Sequence, residues 1–148
     1  HGLKVAPLDP ITSSLYIPSR MQNSAAPTPD LLSKIPFAAL DPHSTYTQRL
    51  EEIAKRSGFN LHFETFYSRM SDMYQSLTLG RHAAVLPSVA HKVKPLNGVE
   101  VHESPEFLKD LTYTPALVWL ENSERVRPWL KSTAASLHKS ITQPLSED

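Results

Sequence analysis

Cysteine is absent from this chain. That excludes a disulfide framework, a thiolate metal site and a cysteine nucleophile. Long apolar runs are missing as well. No stretch approaches the roughly 18 residues that a membrane-spanning helix needs, so no membrane partner is expected. The opening residues, HGLKVAPLDP, contain no apolar core of the secretion-signal kind. Neither sign of charge is in excess: 15 basic residues face 15 acidic ones. A nucleic-acid-binding face usually carries a basic surplus, and none is present here. Glycine is scarce, at four residues in 148. Two of the four, Gly58 and Gly80, close apolar-periodic segments.

The signatures of catalysis are missing too. There is no G-x-S-x-G elbow and no H-E-x-x-H pair. GRHAAVLP lacks the G-K-[ST] ending of a phosphate loop. His62 and Glu64 have the H-x-E spacing of zinc deaminases, but those also need P-C-x-x-C. His91, His102 and His138 stand apart with no ligand spacing. The expectation is therefore no enzyme, no catalytic residue, no metal and no cofactor.

A chain of this length, 40% hydrophobic, suffices for one domain with one core. Its prolines are uneven: Pro7, Pro10, Pro18, Pro27, Pro29, Pro36 and Pro42 crowd the beginning. Proline removes an amide donor and clashes inside helices, so this region reads as extended segments joined by turns. Residues 11–17 form a plausible first strand, and residues 30–35 one helical turn. PFAAL at 36–40 is fully apolar, as a strand buried on both faces requires.

Residues 45–57 read as a helix, with Tyr46, Leu50, Ile53 and Ala54 on one stripe and Gly58 beyond the end. Thr45 and Gln48 have capping-box spacing. Residues 60–65 alternate as a half-buried strand does. A second helix over 68–79 carries Met70, Met73, Tyr74 and Leu77 on its core face, and Gly80 stops it. Residues 83–86 read as a buried strand, 98–101 as an edge strand, and 113–120 as a longer strand with Pro115 at its start or edge. A last helix begins near residues 122–123, its apolar face made of Val126, Trp129, Leu130, Thr133 and Leu137. Pro128 leaves two readings of it open: a late start near Arg127, or kinked first turns. Residues 138–148 are polar and expected to form a flexible tail.

Strands alternating with helices over 36–86 argue for an α/β fold with a mostly parallel sheet. In such sheets ligands bind beyond the carboxyl ends of the strands. Those ends are residues 41–44, 65–68 and 87–88, and they bring forward Asp41, His43 and Ser44, and then Thr65 and Ser68. Each has a plainer reading. Asp41, His43 and Ser44 suit turn and helix-entry chemistry. Thr65 or Ser68 suits a helix cap, although a carboxylate ligand there would also gain from free N–H groups. His82, after Gly80, reads either as a half-buried histidine bonded to a backbone group or as a ligand contact.

Taken together, IPFAALDPHS, LHFET, GRHAAVLP and TPALVWLENSERVRPWL occur in an order that resembles the effector-binding domain of LysR-type transcriptional regulators. GLKVAPLDP is similar to the stretch that enters the second lobe of that domain. The likeness covers about residues 2–137. It departs from the family pattern at His82, where a second glycine is usual.

The resemblance implies a periplasmic-binding-protein-like lobe, a mixed, mostly parallel sheet of about five strands flanked by helices. Residues 1–137 would supply the second lobe, hinge strands and final helix. A small-molecule effector would be held at an inter-lobe cleft by Asp41, His43, Ser44, Thr65, Ser68 and His82. DNA would be contacted only through a domain absent from this chain, in the cytoplasm. Trp129 and Leu130 would face a missing first lobe or support self-association as a homo-oligomer. The alternative is a solute-binding lobe of a transport system. A small enzyme on the same scaffold is a third reading, since fold does not fix function.

Overall fold

The structure, a computed structural model, describes residues 2–22, 26–129, 132–133 and 135–136. In chain order its elements are β1 (Leu3–Pro7), β2 (Ser13–Pro18), α1 (Pro29–Lys34), β3 (Pro36–Leu40), α2 (Thr45–Arg56), β4 (His62–Tyr67), α3 (Met70–Ser76), β5 (Ala83–Pro87), α4 (Ala90–Val93), β6 (Val99–Glu103), β7 (Ala116–Leu120) and α5 (Glu121–Val126). They fall into two compact units. One comprises Thr12–Thr112; the other joins His1–Ile11 to Tyr113–Asp148.

The larger unit is built on a five-stranded sheet of order β4-β3-β5-β2-β6. β3 pairs in parallel with β4 and β5, and β2 joins antiparallel to β5 and β6. The α/β architecture matches the sequence reading, with the parallel part confined to β4, β3 and β5. β3 lies inside because its five residues offer no group that needs water. Phe37 and Ala38 are both fully buried and, being adjacent on a strand, face opposite sides. Phe37, Leu15, Ile17 and Val85 pack with Leu32 of α1 and Leu50 and Ile53 of α2. On the other side Tyr16, Ala38, Ala84 and Leu86 pack with Met73, Tyr74 and Leu77. The methionine stripe is thus core on the α3 side.

α2 shows how local chemistry fixes the ends of an element. Its N-cap is Ser44, one residue before the Thr45 that capping-box spacing had suggested. Ser44 has extended backbone (ψ 141°), and its Oγ accepts the Thr47 N–H at 3.2 Å. The Thr47 hydroxyl then donates to the Leu40 carbonyl at 3.0 Å, tying the helix start to the end of β3. At the far end the Gly58 N–H donates to the Lys55 carbonyl and the Phe59 N–H to the Ala54 carbonyl, each at 3.1 Å. That pattern needs a left-handed residue, and Gly58 supplies it at φ +85°.

α3 starts later than the sequence suggested, at Met70, and its last turn tightens into a 3-10 turn over Leu77–Leu79. Gly80 ends it at φ +66°. The cap reading of Thr65 and Ser68 does not hold. The N-cap position is Arg69 with no side-chain cap bond, and Thr65 lies inside β4. α4 and the 3-10 turn Glu106–Leu108 were not anticipated, being too short to show a period.

The smaller unit pairs β1 with β7 antiparallel, β1 being the strand that the proline-rich opening hid. Leu3 stands opposite Leu120, Val5 opposite Val118 and Pro7 opposite Ala116, so one face of this ribbon is wholly apolar. It is also uncovered: Leu3 is 66% exposed, Val5 59%, Val118 57% and Leu120 53%. α5 ends at Arg127 (φ −134°), the residue before Pro128, whose ring disfavours a helical predecessor. The break therefore interrupts a helix that has already begun at Glu121, and Trp129 is helical again. Leu130, Leu137 and the tail 138–148 lie outside the described residues.

Ser44→Ala removes the cap of α2 and should lower unfolding free energy by about 1 kcal/mol, whereas Ser44→Asp should hold most of it. Urea titration of both variants checks this; equal stability of Ala and wild type would contradict the cap.

Candidate functional site

The parallel strands β4, β3 and β5 bring their carboxyl ends to one edge of the sheet. β6 ends at this edge and β2 begins there, because Ser13 pairs with Pro87 and Ser14 with Glu103. Asp41, His43 and Ser44 leave this edge after β3. Tyr67 is in register with Leu40, so Ser68 follows β4 directly beside Asp41. Thr65 pairs with Ala38 deeper in the sheet and is half-buried.

Local chemistry occupies part of this group. The Asp41 Oδ1 accepts the His43 N–H at 2.8 Å, and the Asp41 carbonyl accepts the Ser44 N–H at 2.9 Å. The turn is thereby held, with the His43 ring and the Ser68 side chain exposed to solvent. Asp41 and Ser44 thus do turn and cap work, as their residue types permit.

The structure sets His82 apart from the other five. It precedes β5 and so lies at the amino end of a strand whose carboxyl end meets the edge. It is buried, and its Nε2 lies 2.8 Å from the Ser76 hydroxyl. Ser76 donates its own proton to the Met73 carbonyl at 2.6 Å, so it must accept from His82, which fixes the Nε2–H tautomer. The histidine thus reaches the backbone through a serine rather than directly. Its ring also packs on Tyr67, with centroids 5.9 Å apart. Burial pushes its pKa below the usual histidine value, and the Glu64 carboxylate partly offsets that.

Ser88 follows β5 at this edge, as the end of that strand implies; the groups around it carry no such signal. The Thr12 and Ser88 hydroxyls are 2.9 Å apart, and the Ser88 N–H donates to the Thr12 carbonyl at 2.8 Å. Tyr16 donates to the Pro87 carbonyl and lies 3.1 Å from His91 Nδ1. His91 Nε2 is in turn 3.0 Å from the Glu103 carboxylate. Burial pushes the Tyr16 phenol up to about 12, so it stays protonated and serves as a donor. Ser14 Oγ is buried with no hydrogen-bond partner among the described residues. Ser14 and Tyr16 alternate along β2 and so share one face of it, with Thr12 just before the strand, which the sequence could have shown. The partners of Thr12 and Tyr16 stand some 70 or more residues away, beyond any spacing rule. Among the described residues no cluster of histidine and carboxylates has the arrangement of a metal site. No helix among them is long and apolar enough to cross a membrane.

A scan of protein-family models found no match, and no curated protein matches in sequence. Solved structures do match. CbnR, a LysR family transcriptional regulator, superposes with a TM-score of 0.67 at 7% identity over 97% of this chain and 49% of its own. The reduced regulatory domain of OxyR2 from Vibrio vulnificus gives 0.68 at 15% identity, over 93% of this chain and 65% of its own. The regulatory domain of MexT, a transcriptional activator in Pseudomonas aeruginosa, gives 0.68 at 10% identity, over 93% and 67%.

The fold is that of a LysR-type regulatory domain. The chain spans about half the length of CbnR and about two thirds of the other two domains. Within this LysR-type fold, the polar edge of the larger unit combines hydrogen-bond donors and acceptors. Its arrangement suits recognition of a small polar molecule.

His82 has a depressed pKa in the folded chain and an ordinary one, 6.5, when unfolded. Its neutral form therefore supports folding fully above pH 6.5, and that support is lost as pH falls below it. In urea titrations from pH 8 to pH 5, wild type should lose stability relative to His82→Gln only below about pH 6.5. Parallel pH profiles would contradict the buried neutral ring.

Proposed function

We propose that this chain is the effector-sensing part of a LysR-type transcriptional regulator, with the ligand seated on the carboxyl edge of its sheet. The observation that carries the reading is the convergence at that edge of Thr12, Asp41, His43, Ser68 and Ser88, from four separate segments, in a fold shared with LysR regulatory domains. Ser44 and Thr65 support the turn and the strand from behind. His82 acts on the same wall at one remove, through its contact with Tyr67.

A ligand held here switches a regulator only if it binds one arrangement of lobes better than another. A polar edge meets that condition, because hydroxyl and imidazole groups are satisfied by water in an open arrangement and by the ligand in a closed one. The opposite wall of the cleft and all DNA contacts come from polypeptide outside this chain. Residues 1–137 then comprise the second lobe with its hinge strands, β1 and β7, and the final helix. The protein works in the cytoplasm, where its DNA is.

In a longer form carrying both lobes, Thr12→Val with Ser88→Ala should weaken effector binding about tenfold or more, since each lost hydrogen bond leaves a ligand group unpaired. A ligand screen by thermal shift followed by calorimetry reads this. A two-lobe protein that binds no small molecule, or one indifferent to the double substitution, overturns the reading.

The uncovered ribbon face, together with Trp129 at 55% exposure, is apolar surface that water penalises. The chain alone should therefore self-associate, and sedimentation velocity should show mass rising with concentration. A clean monomer at high concentration would contradict this.

A further inference from the structure

Tyr16 of β2 sits where β5, α3 and α4 meet. Its hydroxyl reaches two acceptors, the Pro87 carbonyl at the end of β5 and Nδ1 of His91 in α4, each at 3.1 Å. A phenol has one proton, so only one of these contacts receives it at full strength. That proton stays in place at ordinary pH, because burial pushes the phenol pKa up to about 12.

His91 decides which contact wins. Its Nε2 lies 3.0 Å from the Glu103 carboxylate of β6. An ionised carboxylate only accepts, so Nε2 carries a hydrogen. Two forms of the ring meet that condition. In the neutral form Nδ1 has a lone pair and takes the Tyr16 proton, which leaves the Pro87 carbonyl without it. In the imidazolium form Nδ1–H donates to the Tyr16 oxygen, and Tyr16 gives its own proton to Pro87. Histidine is the side chain whose charge ordinarily changes between about pH 5 and 8. With 20% of its side chain exposed, His91 exchanges protons with solvent while both bonds stay formed. The other titratable groups around it are Tyr74 of α3, edge-on to Tyr16 with centroids 5.7 Å apart, and Lys92 and Lys94 of its own segment. Tyr74 donates to the Lys94 carbonyl, and burial raises its pKa as well.

We propose that His91 is a proton-operated switch: protonating it moves the hydrogen bond of the Tyr16 hydroxyl from the His91 ring to the Pro87 carbonyl. Pro87 ends β5 at the polar edge, opposite Ser13. On the reading of that edge as an effector surface, on which this consequence rests, the neutral ring leaves a carbonyl acceptor open to a ligand donor. The protonated ring withdraws it.

The test is an NMR titration of the full chain from about pH 5 to pH 9, following the His91 ring nitrogens and the Pro87 carbonyl carbon. The Pro87 carbon should move downfield as His91 takes up its proton, with one shared midpoint, and the neutral ring should be the Nε2–H tautomer. Tyr16→Phe keeps the ring but removes the hydroxyl. It should leave His91 titrating and abolish the Pro87 response. His91→Gln should abolish that response as well. A Pro87 carbon indifferent to His91, one that follows His91 equally in Tyr16→Phe, or a neutral ring with its hydrogen on Nδ1 would overturn the switch. The titration needs no effector, so its failure would strike the switch and leave the effector reading standing.

Discussion

Everything at the polar edge depends on β3 being buried on both faces between two parallel neighbours. Phe37, Ala38 and Ala39 have no exposed surface, so neither helical layer can be shed without uncovering the strand. Parallel pairing with β4 and β5 then forces three carboxyl ends to the same side. Each strand must there hand the chain to a turn, and turns are where polar side chains collect. The candidate site is in this sense a consequence of the packing: apolar residues fix the strand, the strand fixes the edge, and the edge gathers the hydroxyls.

The parts of the fold legible in the sequence were those with a period or a sharp stop. β3 is legible because PFAAL is apolar without interruption. α2 was legible from its stripe and from Gly58, and α3 from Gly80. The structure departs from that pattern locally. Ser44 rather than Thr45 caps α2 because the Asp41 turn delivers Ser44, not its successor, in extended geometry. β1 was lost among prolines, since pairing with β7 over a hundred residues away leaves no local mark. Pro128 breaks α5 as its ring requires, but where the helix starts was set by Glu121, not by the proline.

The site was half legible for a related reason. Asp41, His43 and Ser44 could be placed by counting from the end of a predicted strand. Ser88 can be placed in the same way, just past the strand over 83–86; Thr12 cannot, because what makes the two a pair is the antiparallel register of β2 on β5. His82 stood out as a departure from a glycine pattern, and the structure gives it a local role, bonded to Ser76 and packed on Tyr67. A side chain that replaces a glycine must fit the space left to it, and this one is buried and held neutral in doing so. The apolar face of the ribbon, by contrast, follows directly from alternation in LKVAP and ALVWL once the two are known to pair.

On the reading proposed above, the carboxyl edge of the sheet is the surface that meets an effector. Amide hydrogen exchange of the two-lobe protein, with and without its effector, tests it most directly. Added protection is expected to concentrate at residues 12–14, 41–44, 67–68 and 87–91. Protection confined to the opposite end of the same strands, around residues 35–36, 61–63 and 81–83, would contradict it.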